Sequence, residues 1–365
     1  MTTDVAVPIE LALEEARAAT TSFLGCFRPA DRFVVFCHFD ADGLAAGAIF
    51  GRALDRMGFT DVMVVPSGRG ESAFTNVARQ RLEVLSPAGL VVTDLGVHKA
   101  GVLSDVPTLY VDHHQPEGVP EGAVVITGYR WEPIPASAWL AFELLSPLAN
   151  IEDLSWIAAV GILSDLGDKA SWSGLPEAKR RYTAKWLKEA VALINAARRS
   201  REFDIDTPLD LLMHANSPKE LATNDARGAD KLRAYRAEVK AALAEARKAA
   251  PTFAQGQPLA LLKLDSPVQL HSLIAQQWRG RLPGYAVIAA NRGYLPGVVA
   301  FSVRTSRDDL NLPMLLQAVD LGGTYESFGH GHDQASGGHL PVDAFNRLLT
   351  ALKFDERAHF AADMK

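Results

Sequence analysis

Cysteine is almost missing from this chain. Cys26 and Cys37 alone, among 365 residues, cannot build a disulfide framework. Cys37 lies in an apolar, strand-like run where a small buried thiol is expected, so the reading is a reducing, cytoplasmic protein. Long hydrophobic runs are missing too. Stretches such as 33–37 and 89–92 fall far short of the roughly 20 residues of a membrane-spanning helix, and no membrane partner is expected. The opening residues carry acidic groups and no basic cluster ahead of an apolar core, unlike a secretory signal. Basic charge is in deficit: 37 Lys and Arg against 43 Asp and Glu leave a net charge of −6, which argues against a broad basic surface gripping long nucleic acid. A local basic groove for a short phosphodiester remains compatible with that balance. There is no repeat of fixed period and no low-complexity tract.

What is present is ordinary globular composition, 48% hydrophobic and 22% charged, over a length that suits two or three domains. The first half alternates short apolar runs with helical patterns. Strands are expected at 32–39, 61–65, 89–93, 108–111 and 123–127, with helices over 44–57, 137–145 and 153–163. Runs such as FVVFC are apolar on both faces and belong in a sheet covered by helices on both sides. From about 176 to 250 the chain turns to Ala, Lys, Arg and Glu, with one long helix expected over 230–249. Strands at 259–264, 286–290 and 298–303, with helices over 268–278, 312–319 and 343–352, then describe a second, smaller α/β domain. The expected fold is therefore α/β: a mostly parallel N-terminal sheet (1–175), a helical connector (176–255) and a smaller C-terminal α/β domain (256–365).

Four clusters of acids and imidazoles fall where strands or helices end. In HFDADG, the spacing of His38, Asp40 and Asp42 puts the three side chains on one face of an extended segment. Gly43 is then read as the tight turn into the next helix. A plain helix N-cap would explain one of these aspartates but not the whole set. Asp94 in VVTDLG follows an apolar strand, where a simple turn former is an equally good reading. Asp112, His113 and His114 in VDHHQP follow another, and adjacent imidazoles point to different partners. Asp165 in GILSDLGD ends an apolar helix, where the helix dipole disfavours an unpaired carboxylate and a nearby cation would resolve the conflict. Carboxylates and imidazoles without thiolates suit Mn²⁺ and tolerate Mg²⁺. So many ligand-type groups point to two divalent ions, and two such ions can activate a water between them for in-line attack on phosphorus. The expected chemistry is phosphoester hydrolysis.

In that order, from His38 to Asp168, the four motifs resemble those of the DHH phosphoesterase superfamily. AFSVRTS followed by FGHGHDQASGG is similar to the DHH-associated substrate domain, with its S-x-R strand and glycine-rich loop. The DxDG form of the first motif most resembles RecJ-type exonucleases, with the nanoRNase-like branch beside them. The resemblance implies that His38, Asp40 and Asp94 hold one metal and that Asp42, Asp94, His113 and Asp165 hold the other, with Asp94 bridging. Asp112 would orient the paired imidazoles, and His114 would face the substrate phosphate. Ser302 and Arg304, with Gly329, His330, Gly331 and His332, would bind the nucleotide end, His330 partly replacing the family's consecutive glycines. Arg279 and Arg281 are read as a solvated helix end, and His98, His214, His271, His339 and His359 as surface or structural. Nothing after Lys365 would supply the extra nucleic-acid-binding barrel of full-length RecJ.

The implied activity is a Mn²⁺-dependent exonuclease or oligonucleotide phosphodiesterase, releasing nucleoside monophosphates from single-stranded DNA, RNA or short oligonucleotides. A pAp phosphatase or linear-dinucleotide phosphodiesterase is the alternative. Further rivals are a family-II-like pyrophosphatase and a non-catalytic DHH scaffold protein, which would have lost metal ligands. Sugar preference, polarity, substrate length and dimerisation stay open at this stage.

Overall fold

The computed structural model of the chain describes residues 6–361, with 324, 326 and 327 left aside. It contains two compact units: residues up to Arg198 with Phe203–Ala234, and Arg199–Glu202 with the chain from Tyr235 onward. The helices Leu175–Tyr182, Asp206–His214 and Pro218–Thr223 belong to the first unit, so the stretch 176–255 is shared between the two.

The first unit is built on a five-stranded parallel sheet. In chain order its elements are α1 (Ile9–Leu24), β1 (Phe33–Cys37), α2 (Ala41–Arg56), β2 (Val62–Pro66), α3 (Asn76–Glu83), β3 (Gly89–Thr93), β4 (Thr108–Asp112), β5 (Val124–Thr127), α4 (Ser137–Leu145) and α5 (Ser155–Asp165). The spatial order is β2-β1-β3-β4-β5, all parallel. Every residue of β1, β3 and β4 is buried, as the two-sided apolar runs required. One face, bearing Val34, Phe36, Leu90 and Val92, packs on Ala78 and Leu82 of α3; α2 crosses the sheet at β1 and β2 and packs in turn on α4 and α5. Helices α1 and α3 were not expected from the pattern. The strand order switches sides between β1 and β3, and the carboxyl ends of those strands open the crevice where such sheets take ligands.

The first motif departs from its expected extended form. Helix α2 begins at Ala41, and Asp40 is its N-cap, its side chain accepting from the backbone N–H of Asp42 and Gly43. Asp42 therefore sits in the first helical turn, and its carboxyl groups with His113 and Asp165, whereas His38 and Asp40 group with Asp94. Two unpaired amides at the helix start outweigh the alternation of a strand. Gly43 makes no tight turn. It is helical, and a Cβ there would lie 2.5 Å from both Cβ and the carbonyl oxygen of His38, so the glycine serves close approach.

In the second unit the elements are β6 (Thr252–Phe253), β7 (Leu259–Leu264), α6 (His271–Arg281), β8 (Ala286–Asn291), β9 (Val298–Thr305), α7 (Leu312–Gln317), β10 (Phe328–His332), β11 (Ala335–Pro341) and α8 (Val342–Ala351). The mixed sheet runs β10-β11-β9-β8-β7-β6, with only β7 and β8 parallel. Val299, Phe301 and Val303 of β9 enter a core with Phe345 and Leu348 of α8, while Ser302 and Arg304 take the other face, where α6 packs. The stretch read as a glycine-rich loop is instead a β-hairpin. β10 and β11 pair antiparallel across Asp333 and Gln334, because backbone pairing with β9 gives the glycine-rich run a sheet to join.

Helix packing in the first unit depends on Gly161 of α5, where a Cβ would overlap Ala138 of α4 and come within 2.6 Å of Asp42 Oδ1. Gly161→Ala should therefore destabilise the protein by about 1–3 kcal/mol through overpacking, despite alanine's better helix propensity, as read by urea denaturation against wild type.

Candidate metal centre

Each strand that ends at the crevice delivers one cluster. His38 leaves β1, Asp94 leaves β3, and Asp112 with His113 and His114 leaves β4. Asp42 arrives from the first turn of α2 and Asp165 from the last residue of α5. All the acids and imidazoles expected in the first unit except Asp112 fall into three overlapping groups whose ligand atoms lie within 4.8 Å of one another: His38, Asp40 and Asp94; Asp42, His113 and Asp165; and Asp94, His113 and His114.

Asp94 is central. It is 5% exposed and takes a left-handed backbone with φ of 62°, a conformation that Asp and Asn tolerate better than other side chains. Its two oxygens face different imidazoles: Oδ1 lies 3.4 Å from His113 Nε2, and Oδ2 lies 3.6 Å from His38 Nδ1. Ser137 donates its hydroxyl to Oδ1 at 3.0 Å. Asp94, which follows an apolar strand, is thus buried between the two imidazoles.

Asp42, only 2% exposed, is held by the start of α4: Oδ2 accepts from Ser137 N–H at 2.8 Å and Oδ1 from Ala138 N–H at 3.0 Å. A helix N-terminus is a favourable place for a buried anion. Even so, burial pushes the Asp42 carboxyl well up, and Asp94 and Asp165 push it further. Burial also raises Asp165. The imidazoles respond in the opposite sense. Burial disfavours their charge, yet Asp40 and Asp94 carry His38 up to about 10, and Asp94, Asp42 and Asp165 carry His113 up to about 10. Crowded carboxylates are therefore compensated by protons on imidazole, positive charge that a divalent cation would supply while releasing those protons. With oxygen and nitrogen donors in reach and no thiolate among them, the cluster fits a divalent metal ion.

Asp112 has a different task. It is 1% exposed and accepts four hydrogen bonds: from Gly96 N–H at 2.7 Å, His113 N–H at 2.7 Å, His114 N–H at 2.7 Å and the His114 ring at 2.8 Å. Burial alone would raise its pKa, but the hydrogen bonds and charge of His114, with the backbone donors, hold it down at about 2. The carboxylate thus ties the loop after β3 to the histidine pair and aims the half-exposed His114 ring.

In the second unit, Ser302 lies opposite Gly337 and Arg304 opposite Ala335 in the β9–β11 register. Arg304 donates to the carbonyls of Val303 and Ser336 at 3.0 and 3.3 Å, and burial and then the charge of Arg279 lower its pKa. Arg279, expected at a solvated helix end, is therefore near Arg304, while Arg281 stacks over Trp278. Gly329 and Gly331 take positive φ of 75° and 131°, and His332 is exposed opposite Ala335 at the hairpin tip. The His330 backbone pairs with Gly337; its side chain lies outside the described residues.

His98, expected to be a surface or structural residue, lines the metal-centre cleft with Asp94, His113 and His114. Its position four residues after Asp94 was the only sequence signal, and it is a weak one.

No family model and no curated protein matches the chain. Solved structures do. The chain is similar to exonuclease RecJ bound to manganese over 93% of both chains, with a TM-score of 0.69 at 20% identity. It is similar to RecJ in complex with Mn²⁺ from Thermus thermophilus, with a TM-score of 0.69 at 20% identity, covering 93% of this chain and 54% of that one. A DHH domain described as a member of the s1p family of ribosomal proteins matches with a TM-score of 0.67 at 16% identity, over 96% of this chain and 94% of that one. The chain spans about half the length of the Thermus RecJ. Its fold is that of RecJ and the DHH domains, as the four motifs implied. No helix among the described residues is long and apolar enough to cross a membrane.

Asp112→Asn should leave donors around one former oxygen without an acceptor. A loss of about 2 kcal/mol in metal-free stability is expected, in the range for hydrogen bonds to charged groups, measured by urea denaturation; an unchanged midpoint would refute the tethering role.

Proposed function

We propose that this chain is a divalent-metal-dependent phosphodiesterase that removes nucleoside monophosphates from single-stranded or short oligonucleotides. The observation that carries this reading is the placement of Asp94, with one carboxylate oxygen toward His38 and the other toward His113. A carboxylate so placed is suited to bridge two ions. His38, Asp40 and Asp94 would hold one ion, and Asp42, Asp94, His113 and Asp165 the other. When bound, two divalent ions supply an activated water and neutralise phosphoryl oxygens in an in-line displacement. Mn²⁺ is the preferred ion for mixed oxygen and imidazole donors, with Mg²⁺ tolerated.

The protein's own groups do the rest. Burial disfavours charge on His114, but the Asp112 hydrogen bond and charge raise its pKa and keep Nδ1 engaged. With Nδ1 engaged by Asp112, Nε2 is the ring nitrogen left to face the scissile phosphate. Arg304, with Ser302, the 329–332 strand and His332, is assigned to a phosphate that does not react. The guanidinium already has two carbonyl partners, and its planar fork keeps further N–H groups for a bidentate anion. The two free cysteines fit a reducing, cytoplasmic setting.

The decisive experiment incubates the protein with Mn²⁺ and end-labelled single strands of two, five and twenty-five nucleotides in both sugar chemistries. Monophosphate release that stops on chelation supports the reading. Fast hydrolysis of pyrophosphate with no cleavage of the strands would replace it by a pyrophosphatase, and activity that survives exhaustive chelation would end the metal assignment. Asp94→Asn, which tolerates the left-handed backbone that Ala does not, should lower turnover by at least about 10²-fold, the scale of losing a group that stabilises transition-state charge, while the fold survives by circular dichroism. The two assigned phosphate contacts should separate kinetically on a dinucleotide. His114→Ala should mainly lower kcat, and Arg304→Ala should mainly raise KM and weaken its salt dependence.

A further inference from the structure

The cleft above Asp94 and His113, about 370 Å³ in volume, has a second wall that the metal centre does not use. His98 stands in it on a loop fixed at several points. Gly96 N–H is bound by Asp112, Glu117 N–H donates to the Val97 carbonyl at 2.8 Å, and Gly101 N–H donates to the His98 carbonyl at 3.1 Å. The ring is fixed as well. Phe74 stacks on one face, with centroids 3.9 Å apart and planes 21° from parallel. Glu117 lies 3.6 Å from Nδ1. Toward the Nε2–Cδ2 edge Gly96 leaves room, since even a Cβ on it would stand 3.8 Å and 3.9 Å from those atoms. Yet the His98 side chain is 38% exposed and belongs to the cleft lining. Phe74 covers one face and Glu117 stands at Nδ1, and among the described residues no second ring stacks on the other face.

A fixed aromatic face next to a phosphoryl-transfer site offers stacking. Glu71 and Glu117 also line the cleft, and their carboxylates repel a phosphate while leaving a neutral planar group unopposed. We propose that the free face of His98, backed by Phe74, is a shelf on which the nucleobase flanking the scissile phosphate stacks. This deepens the phosphodiesterase reading and rests on it. Stacking tolerates any base because every base has a π face, so the shelf selects nucleotides as a class without selecting sequence. It also positions the neighbouring phosphate over the cluster of Asp94 and His113.

The test uses Mn²⁺ and dinucleotides in which each base in turn is kept or replaced by hydrogen to give an abasic sugar. At one of the two positions the wild type should prefer the base-bearing substrate by roughly tenfold or more in kcat/KM, the scale of a lost base–aromatic stack. His98→Ala should bring that preference near unity. His98→Phe, which keeps a flat ring without imidazole nitrogens, should retain it, separating stacking from a merely structural role. Binding gives a second readout: 2-aminopurine at the same position should be quenched by the wild type and by His98→Phe, and not by His98→Ala. Equal cleavage of base-bearing and abasic dinucleotides by the wild type, or a preference that survives in His98→Ala, would overturn the shelf alone. If the wild type cleaves none of the strands of two, five and twenty-five nucleotides, the phosphodiesterase reading falls and the shelf falls with it; if it cuts only the longer strands, the 2-aminopurine readout on those strands decides the shelf.

Discussion

Three carboxylates, Asp42, Asp94 and Asp112, are buried at the carboxyl edge of one parallel sheet, and the surrounding structure is organised to hold that charge. Burying an anion without compensation is prohibitive. Each of the three is compensated differently. Asp112 receives enough hydrogen bonds to remain ionised and becomes a structural tie. Asp42 rests against the amide groups of a helix start. Asp94 shares a hydroxyl and two imidazoles, and with Asp165 close by, the negative charge around His113 exceeds what backbone donors can offset. That residual excess is what makes the cluster a cation site, and it separates these acids from the ion-paired surface acids elsewhere in the chain.

The fold supplies the place for the cluster. Strand order β2-β1-β3-β4-β5 opens a crevice between the ends of β1 and β3, and His38 and Asp94 leave from those two strands. Close approach does the rest. Gly43 lets the start of α2 lie against His38, and Gly161 lets α5 lie against Ala138 of α4 and the Asp42 carboxylate. The geometry of the candidate metal centre therefore depends on helix packing at glycines beside its proposed ligands.

A shared fold does not transfer an activity, and sequence identities of 16–20% with the RecJ and DHH structures leave chemistry to be argued from the residues themselves. The fold is shared with RecJ and DHH domains, and the clustered carboxylates and imidazoles fit a divalent metal ion. The proposed nucleotide substrate rests on Arg304 in the second unit and on the His98 ring, backed by Phe74, in the first.

Much of this was legible in the linear chain. Two-sided apolar runs specified a buried parallel sheet, since strands covered on both faces need no alternation, and ligand-type residues at the ends of those runs marked its active edge. The helices at 9–24 and 76–83 carry no comparable mark in the sequence. The first begins directly after a proline, and the second is eight residues long and held by packing on the sheet. Sequence by itself determined which acids and imidazoles would meet and in what order along the chain. Only the tertiary structure divided their tasks, because Asp40 became a helix cap, Asp42 reached Ser137 from 95 positions away, and Phe74 and Glu117 turned His98 from a solitary residue into part of a wall. Those roles arise from hydrogen bonds and ring contacts between residues brought together by folding, and no local spacing encodes them.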